Sequence, residues 1–305
     1  MRSNTTSVLA GADLYDRLYA NGYHSNPKFN HGMFLMYEAS ELAQWFNFST
    51  VLDVGCSNGL VVENLWKNGG LTASGVDVSK NAIALARRHR LKCTSDTTCK
   101  LRADDRLQKA ALAKTYVTRA LNTPNNKNFM PLANAPWPLV TGRPRCVAPC
   151  FTAAAATALP FADHAFDAII SSDVLEHLAP DEVETATREI ARVARRWLFL
   201  KVSNRKDHRG THLPRLAEEH GSQSVPASLH LTIKPMRFWV EAFERHGFRL
   251  HHTLEDSTAF GWMKRVPDMC CSFVLVRTGL PMLPPGVDEA RRQYLRKSWW
   301  PRQEH

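Results

Sequence analysis

No apolar run in this chain is long enough to cross a membrane. The most apolar stretch, 151–162, is broken by threonines and Pro160 and falls well short of the roughly 20 residues that a span needs. Residues 1–6 (Met-Arg-Ser-Asn-Thr-Thr) lack the apolar core of a secretion signal, so the expectation is a soluble, cytoplasmic protein. Seven cysteines in 305 residues are far too few for a disulfide scaffold. Low hydrophobicity is also missing: at 44% apolar residues, wholesale disorder is excluded. Acidic residues are the minority, 29 against 39 lysines and arginines, which leaves a net charge of +10. The basic residues form no single long block. The excess therefore suits either attraction of an acidic partner, such as a phosphorylated metabolite, nucleotide sugar or RNA, or plain solubility. No internal repeat is present.

What the chain does have is alternation of strand and helix signals. Phe34, Leu35, Glu38, Leu42, Trp45 and Phe46 recur at helical spacing. Val51–Val54 is a short apolar run of the kind buried on both faces of a parallel sheet. A helix follows from Leu60 to Asn68, closed by Gly69 and Gly70, then a strand from Ala73 to Val78. Ser79 is placed to cap a helix reaching Arg90. From about 91 to 145 no period holds, and this stretch reads as an irregular insertion. Alternation resumes with a strand at Phe166–Ser171, a helix at Asp181–Arg195 and a strand at Trp197–Val202. Pro235 opens a helix that Gly247 stops. Two further strands, 248–254 and 270–276, have no helix between them and read as an antiparallel closing hairpin. The fold class is α/β, a doubly wound, mostly parallel sheet with helices on both faces. The organisation expected is an N-terminal cap over 1–33, the main domain over 34–278, and a basic aromatic tail over 279–305.

The chemistry centres on Val51-Leu-Asp-Val-Gly-Cys-Ser-Asn-Gly59, between a strand and a helix. Gly55 and Gly59 permit a sharp turn, and the helix start offers free N–H groups to a polar ligand. Asp77 ends the next strand, where nucleotide-binding sheets hold ribose hydroxyls. Ser57 breaks the dinucleotide glycine pattern, which speaks against NAD or FAD. Leu-Asp-Val-Gly-Cys-Ser-Asn-Gly resembles motif I of the class I S-adenosylmethionine-dependent methyltransferases, and Gly75-Val-Asp-Val-Ser79 resembles their motif II. Ala158-Leu-Pro-Phe through Leu175-Glu-His-Leu178 is similar to the family's stretch around its fourth strand. The resemblance covers roughly 34–278 and is nearest the type 11-like branch.

That resemblance implies a seven-stranded sheet and S-adenosyl-L-methionine as cofactor. Asp53, Gly55 and Gly59 would then surround its methionine part, and Asp77 would bind the ribose. Val78 would pack on adenine, and Ser172 and Asp173 would lie near the sulfonium. For Asp53 a helix-capping role stays open, and for Asp77 that of a surface turn. Many members carry an acidic residue before Leu-Pro-Phe, where this chain has Ala153-Ala-Ala-Ala-Thr-Ala158; backbone groups or Thr157 would have to read adenine instead. His177 and His230 are the candidate bases for an oxygen or nitrogen acceptor, against helix-packing and loop-anchoring roles. The expected acceptor is a small molecule or glycan. RNA, or a catalytically silent binding module, is the alternative.

Three features remain open at this level. Tyr15, Tyr19, Tyr23 and His24 form either a lid over the cleft or the docking face of an amphipathic helix. Cys93, Cys99, Cys146 and Cys150 bracket the insertion and would hold zinc, pair, or stay unlinked; no metal is assigned as a site. The run 291–302 mixes cations and aromatics, as an RNA-contacting tail or one that packs its tryptophans on the domain.

Overall fold

Thr50–Val54 (β1) and Phe166–Ser172 (β4) are almost continuously buried because neighbours cover both of their faces. In the computed structural model, which describes residues 10–24, 50–67, 71–89, 150–207, 212–221, 225–251 and 272–280, they lie side by side at the centre of a seven-stranded sheet. The other strands are Thr72–Asp77 (β2), Cys150–Ala153 (β3), Ala194–Lys201 (β5), Phe248–Leu250 (β6) and Ser272–Arg277 (β7). Their order is β3-β2-β1-β4-β5-β7-β6; the first five run parallel, and β7 pairs antiparallel with both β5 and β6. The closing antiparallel pair is therefore present, with the later strand inserted next to β5.

Alternate residues feed two cores. Val51, Ala73, Ala168, Ile170 and Phe199 meet Val61, Val62 and Leu65 of α2 (Leu60–Lys67) and Ile83 and Ala86 of α3 (Lys80–His89). Leu52, Val54, Ile169, Leu198 and Leu200 meet Ile190 and Val193 of α4 (Val183–Val193) and Trp239 and Phe243 of α6 (Met236–Glu244). A third, smaller cluster joins Leu14 and Leu18 of α1 (Gly11–Ala20) to Leu213 and Leu216 of α5 (His212–His220). Among the described residues no helix is long and apolar enough to cross a membrane.

Several elements differ from the sequence reading. The helix expected through Arg195 ends at Val193, and β5 begins at Ala194. Ala194 pairs with Phe166, and Arg195 reaches the Asp167 carboxylate at 2.8 Å, so sheet partners override a helical period. The short edge strand β3 was not anticipated. Pro235 stands just before α6, as its N-cap, rather than within its first turn. Ser79 does cap α3, its hydroxyl accepting from the Ala82 N–H at 3.1 Å. The Leu159-Pro-Phe161 turn is fastened by Arg192, which donates to the carbonyls of Leu159 (3.0 Å) and Phe161 (2.8 Å) and to Asp163 and Glu189. The expected helix at 34–46, the segment 91–145, Cys93, Cys99 and Cys146, and the tail beyond Leu280 lie outside the described residues.

Candidate cofactor and acceptor site

The chain runs outward from β1 through β2 to β3 and then returns to place β4 on the other side of β1. Such a reversal opens a crevice at the carboxyl ends of the two central strands. The loop 55–59 forms one wall. Its Gly55 and Cys56 N–H groups both donate to the Val76 carbonyl at 2.8 Å, tying the loop to β2. Asp77 completes the tie: one carboxylate oxygen accepts from Ser57 N–H and the other from Ser79 N–H, each at 2.9 Å. The Asn58 side chain accepts from Leu60 N–H at 3.1 Å at the start of α2.

Gly55 and Gly59 sit at φ +82° and +75°. A Cβ at Gly55 would lie 2.2 Å from Val174 Cγ2, and one at Gly59 would lie 2.7 Å from the Phe151 ring. The sequence reading gave these glycines to a ligand's close approach; in the fold, protein neighbours already require them. Gly55→Ala is therefore expected to cost about 2–4 kcal/mol, combining left-handed strain with overpacking against Val174. Chemical denaturation measures this, and a cost below about 0.5 kcal/mol would refute the packing account.

Asp53, at the crevice end of β1, is buried beside Asp77. Burial first, and then the Asp77 charge, push its pKa up to about 8. Burial also raises Asp77, to about 6, against the opposing pull of its two backbone N–H bonds. At neutral pH the crevice thus holds one ionised carboxylate able to accept further hydroxyl hydrogens, and one protonated carboxyl that a cation would ionise. Val78 follows Asp77 and is half-buried; Thr157, also half-buried, lies in the turn after β3 on the same edge of the sheet.

The opposite wall is the end of β4. The Ser172 hydroxyl donates to Asp173, which also pairs with Lys201. A single 3-10 turn, Leu175–His177, follows. Glu176 is fully buried: one carboxylate oxygen accepts from Ser203 N–H at 2.9 Å, and the other has no partner among the described residues. Burial and the Asp173 charge raise its pKa. His177 Nδ1 lies 2.9 Å from the Leu229 carbonyl and 2.8 Å from the Tyr15 hydroxyl. A carbonyl only accepts, so Nδ1 carries the hydrogen and Nε2 is bare. Burial, and then the neighbouring His230, lower the His177 pKa to about 4, so the ring is neutral. His230 is oriented in the same way, its Nδ1 donating to the Arg205 carbonyl. The two rings meet edge to face, with centroids 4.7 Å apart.

The structure therefore brings His177 and His230 together and adds Glu176, which sequence reasoning passed over. Its signal was present in Leu175-Glu-His-Leu178, where a carboxylate stands immediately before the candidate histidine. Helix α1 docks its apolar face on α5, and residues from α1 and the turn after it contact the loops at the strand ends. There Asp16 accepts from the Ser79 hydroxyl at 2.6 Å, His24 contacts the Ser57 hydroxyl at 3.2 Å, and Tyr15 meets His177.

A family model described as a methyltransferase domain matches residues 12–253. The chain belongs to this family, the class I S-adenosylmethionine-dependent methyltransferases. No curated protein matches it in sequence. Among solved structures, the magnesium protoporphyrin IX methyltransferase of Synechocystis, with S-adenosylhomocysteine bound, is similar at 16% identity and a TM-score of 0.41, over 80% of this chain and 82% of that one. The (4+2)-cyclase SpnF is similar at 17% identity and a TM-score of 0.45, over 92% of this chain and 100% of its own. The YcgJ protein of Bacillus subtilis gives 15% and 0.39, over 86% and 81%. The methyltransferase's donor is S-adenosylmethionine, and the donor set at the crevice suits it: carboxylates for hydroxyls and for a cationic centre, and apolar Val78 for a base.

Proposed function

We propose that this methyltransferase transfers the methyl group to an oxygen or nitrogen of a small molecule or glycan in the cytoplasm. The observation that carries this reading is the polar corner of buried Glu176 and half-buried His177 and His230 beside the crevice, with Tyr15 of α1 lying against it. A corner crossed by a helix suits a compact acceptor better than a polymer threaded along an open face. In this reading Asp77 receives the ribose hydroxyls and Val78 lies on adenine, which backbone groups or Thr157 recognise. Asp53, Ser172 and Asp173 face the methionine part, on a loop shaped by Gly55 and Gly59. Bound S-adenosylmethionine supplies an electrophilic methyl on a sulfonium. The chain's own task is then to orient the acceptor atom and receive its proton, and His177 and His230 are the side chains we assign to it.

The test is His177→Ala and His230→Ala, assayed for S-adenosylhomocysteine release with hydroxyl, amine and glycan acceptors. Each is expected to lower the methylation rate by about 10²–10⁴-fold while cofactor affinity stays unchanged, because neither ring is needed to hold the nucleoside. Full activity in both variants would remove the proposed role. The net charge of +10 supports RNA as the second reading, and a steep salt dependence of RNA binding would favour it.

A further inference from the structure

Glu176, His177 and His230 each offer one ligand atom within 4.8 Å of the other two. Both imidazoles have Nδ1 committed to a backbone carbonyl, Leu229 for one and Arg205 for the other. This second-sphere arrangement fixes a ring's tautomer and turns Nε2 outward as a ligand. The Glu176 carboxylate is held on one side by Ser203 N–H, while its other oxygen is buried and has no partner among the described residues. A buried, bare carboxylate oxygen is costly, and something must satisfy it. Lys201, the nearby cation, is engaged by Asp173 instead.

The corner is also rigidly assembled. Glu176 and His177 share one 3-10 turn, and the loop bearing His230 is stitched to it. Leu231 and Thr232 N–H groups donate to the Glu176 carbonyl at 2.8 and 2.9 Å, and the Thr232 hydroxyl donates to the Leu178 carbonyl at 2.7 Å. Two imidazoles and one carboxyl group form a three-ligand set that leaves coordination positions open. With two nitrogen donors of three, it favours first-row transition cations over magnesium or calcium. We propose that Glu176, His177 and His230 bind a divalent first-row transition cation, such as Mn²⁺ or Zn²⁺, whose open position takes the acceptor's oxygen or nitrogen. This rests on the reading that the acceptor lies in this corner. With the ion in place, the histidines hold the cation and no longer act as proton acceptors; the acceptor's proton is instead shed to water as its oxygen or nitrogen binds the metal.

The test is a titration of the chelator-stripped full chain with Mn²⁺, followed by loss of the free-ion electron paramagnetic resonance signal. The expected result is one saturable site per chain, displaced by Zn²⁺, with Kd raised about tenfold or more in each of Glu176→Gln, His177→Ala and His230→Ala. The half-exposed His230 is the variant least prone to misfold, and circular dichroism checks all three. Absence of saturable Mn²⁺ or Zn²⁺ binding would overturn the proposal, as would binding that all three folded variants leave unchanged. Calorimetry with S-adenosylmethionine on the same metal-free protein separates the failures. Cofactor bound without any metal binding defeats the cation site alone; no cofactor binding defeats the functional reading beneath it.

Discussion

Asp77→Ala is expected to weaken S-adenosylmethionine binding by about 1.5–3 kcal/mol, roughly 10- to 150-fold, the scale of hydrogen bonds to a charged group. The structure adds a second consequence. Both carboxylate oxygens accept backbone N–H groups, from Ser57 in the loop after β1 and from Ser79 at the start of α3. Removing them leaves two buried donors without partners, so the cofactor-free protein should also lose about 2–4 kcal/mol of stability. Asp77→Asn separates the two effects, because its amide retains one acceptor oxygen for the backbone while losing the charge. Calorimetry with the cofactor, alongside denaturation of each variant, reads both quantities. A folded Asp77→Ala protein with unchanged affinity would mean that the ribose assignment is wrong.

The affinity for S-adenosylmethionine should rise with pH between about 6 and 8, by as much as about tenfold per unit, with release of about one proton near pH 7. The cause is Asp53, raised to about 8 by burial and by the Asp77 charge. A cationic ligand beside it favours the ionised form, so below pH 8 binding must expel the proton. The same shift acts on folding with a defined sign. A carboxyl whose folded pKa lies above its unfolded value of 3.8 favours the folded state most at low pH, and that contribution fades as pH climbs through 8. Calorimetry in buffers of different ionisation enthalpy counts the released proton. Asp53→Asn should bind more weakly and without this pH dependence; an unaltered profile in that variant would assign the proton elsewhere.

Much of this was legible because burial on both faces leaves its mark on composition. Residues 51–54 and 197–200 have no room for polar alternation, and the glycines and acids at strand ends stand out against them. Strand β3 was hidden because only Phe151 among its four residues is deeply buried, and its single alanine fits any element. Ala194 and Arg195 continue the helical period of α4, and only their partners Phe166 and Asp167 decide for the sheet. Glu176 reads as an ordinary helix-surface acid; loops arriving later in the chain, through Ser203, Leu231 and Thr232, bury it. The contact of Tyr15 with His177 spans 162 residues, beyond the reach of any local pattern.

The attachment of the long segment between α3 and β3 has a consequence for how this protein can vary. Helix α3 starts at Lys80, on the ligand edge of the sheet, and ends at His89 near the opposite edge. The chain rejoins the sheet at Cys150, which lies opposite Ser74 towards the amino end of β2. Both junctions are therefore on the side away from the crevice, and β3 touches the rest of the sheet through β2 alone. Both points of attachment therefore lie apart from 55–59, 172–178 and 229–232, the loops proposed to carry the chemistry, so a change of length between them leaves the anchoring of those loops unaltered. Relatives differing greatly in length here should share the same reaction geometry, with the hinterland of the sheet absorbing the change.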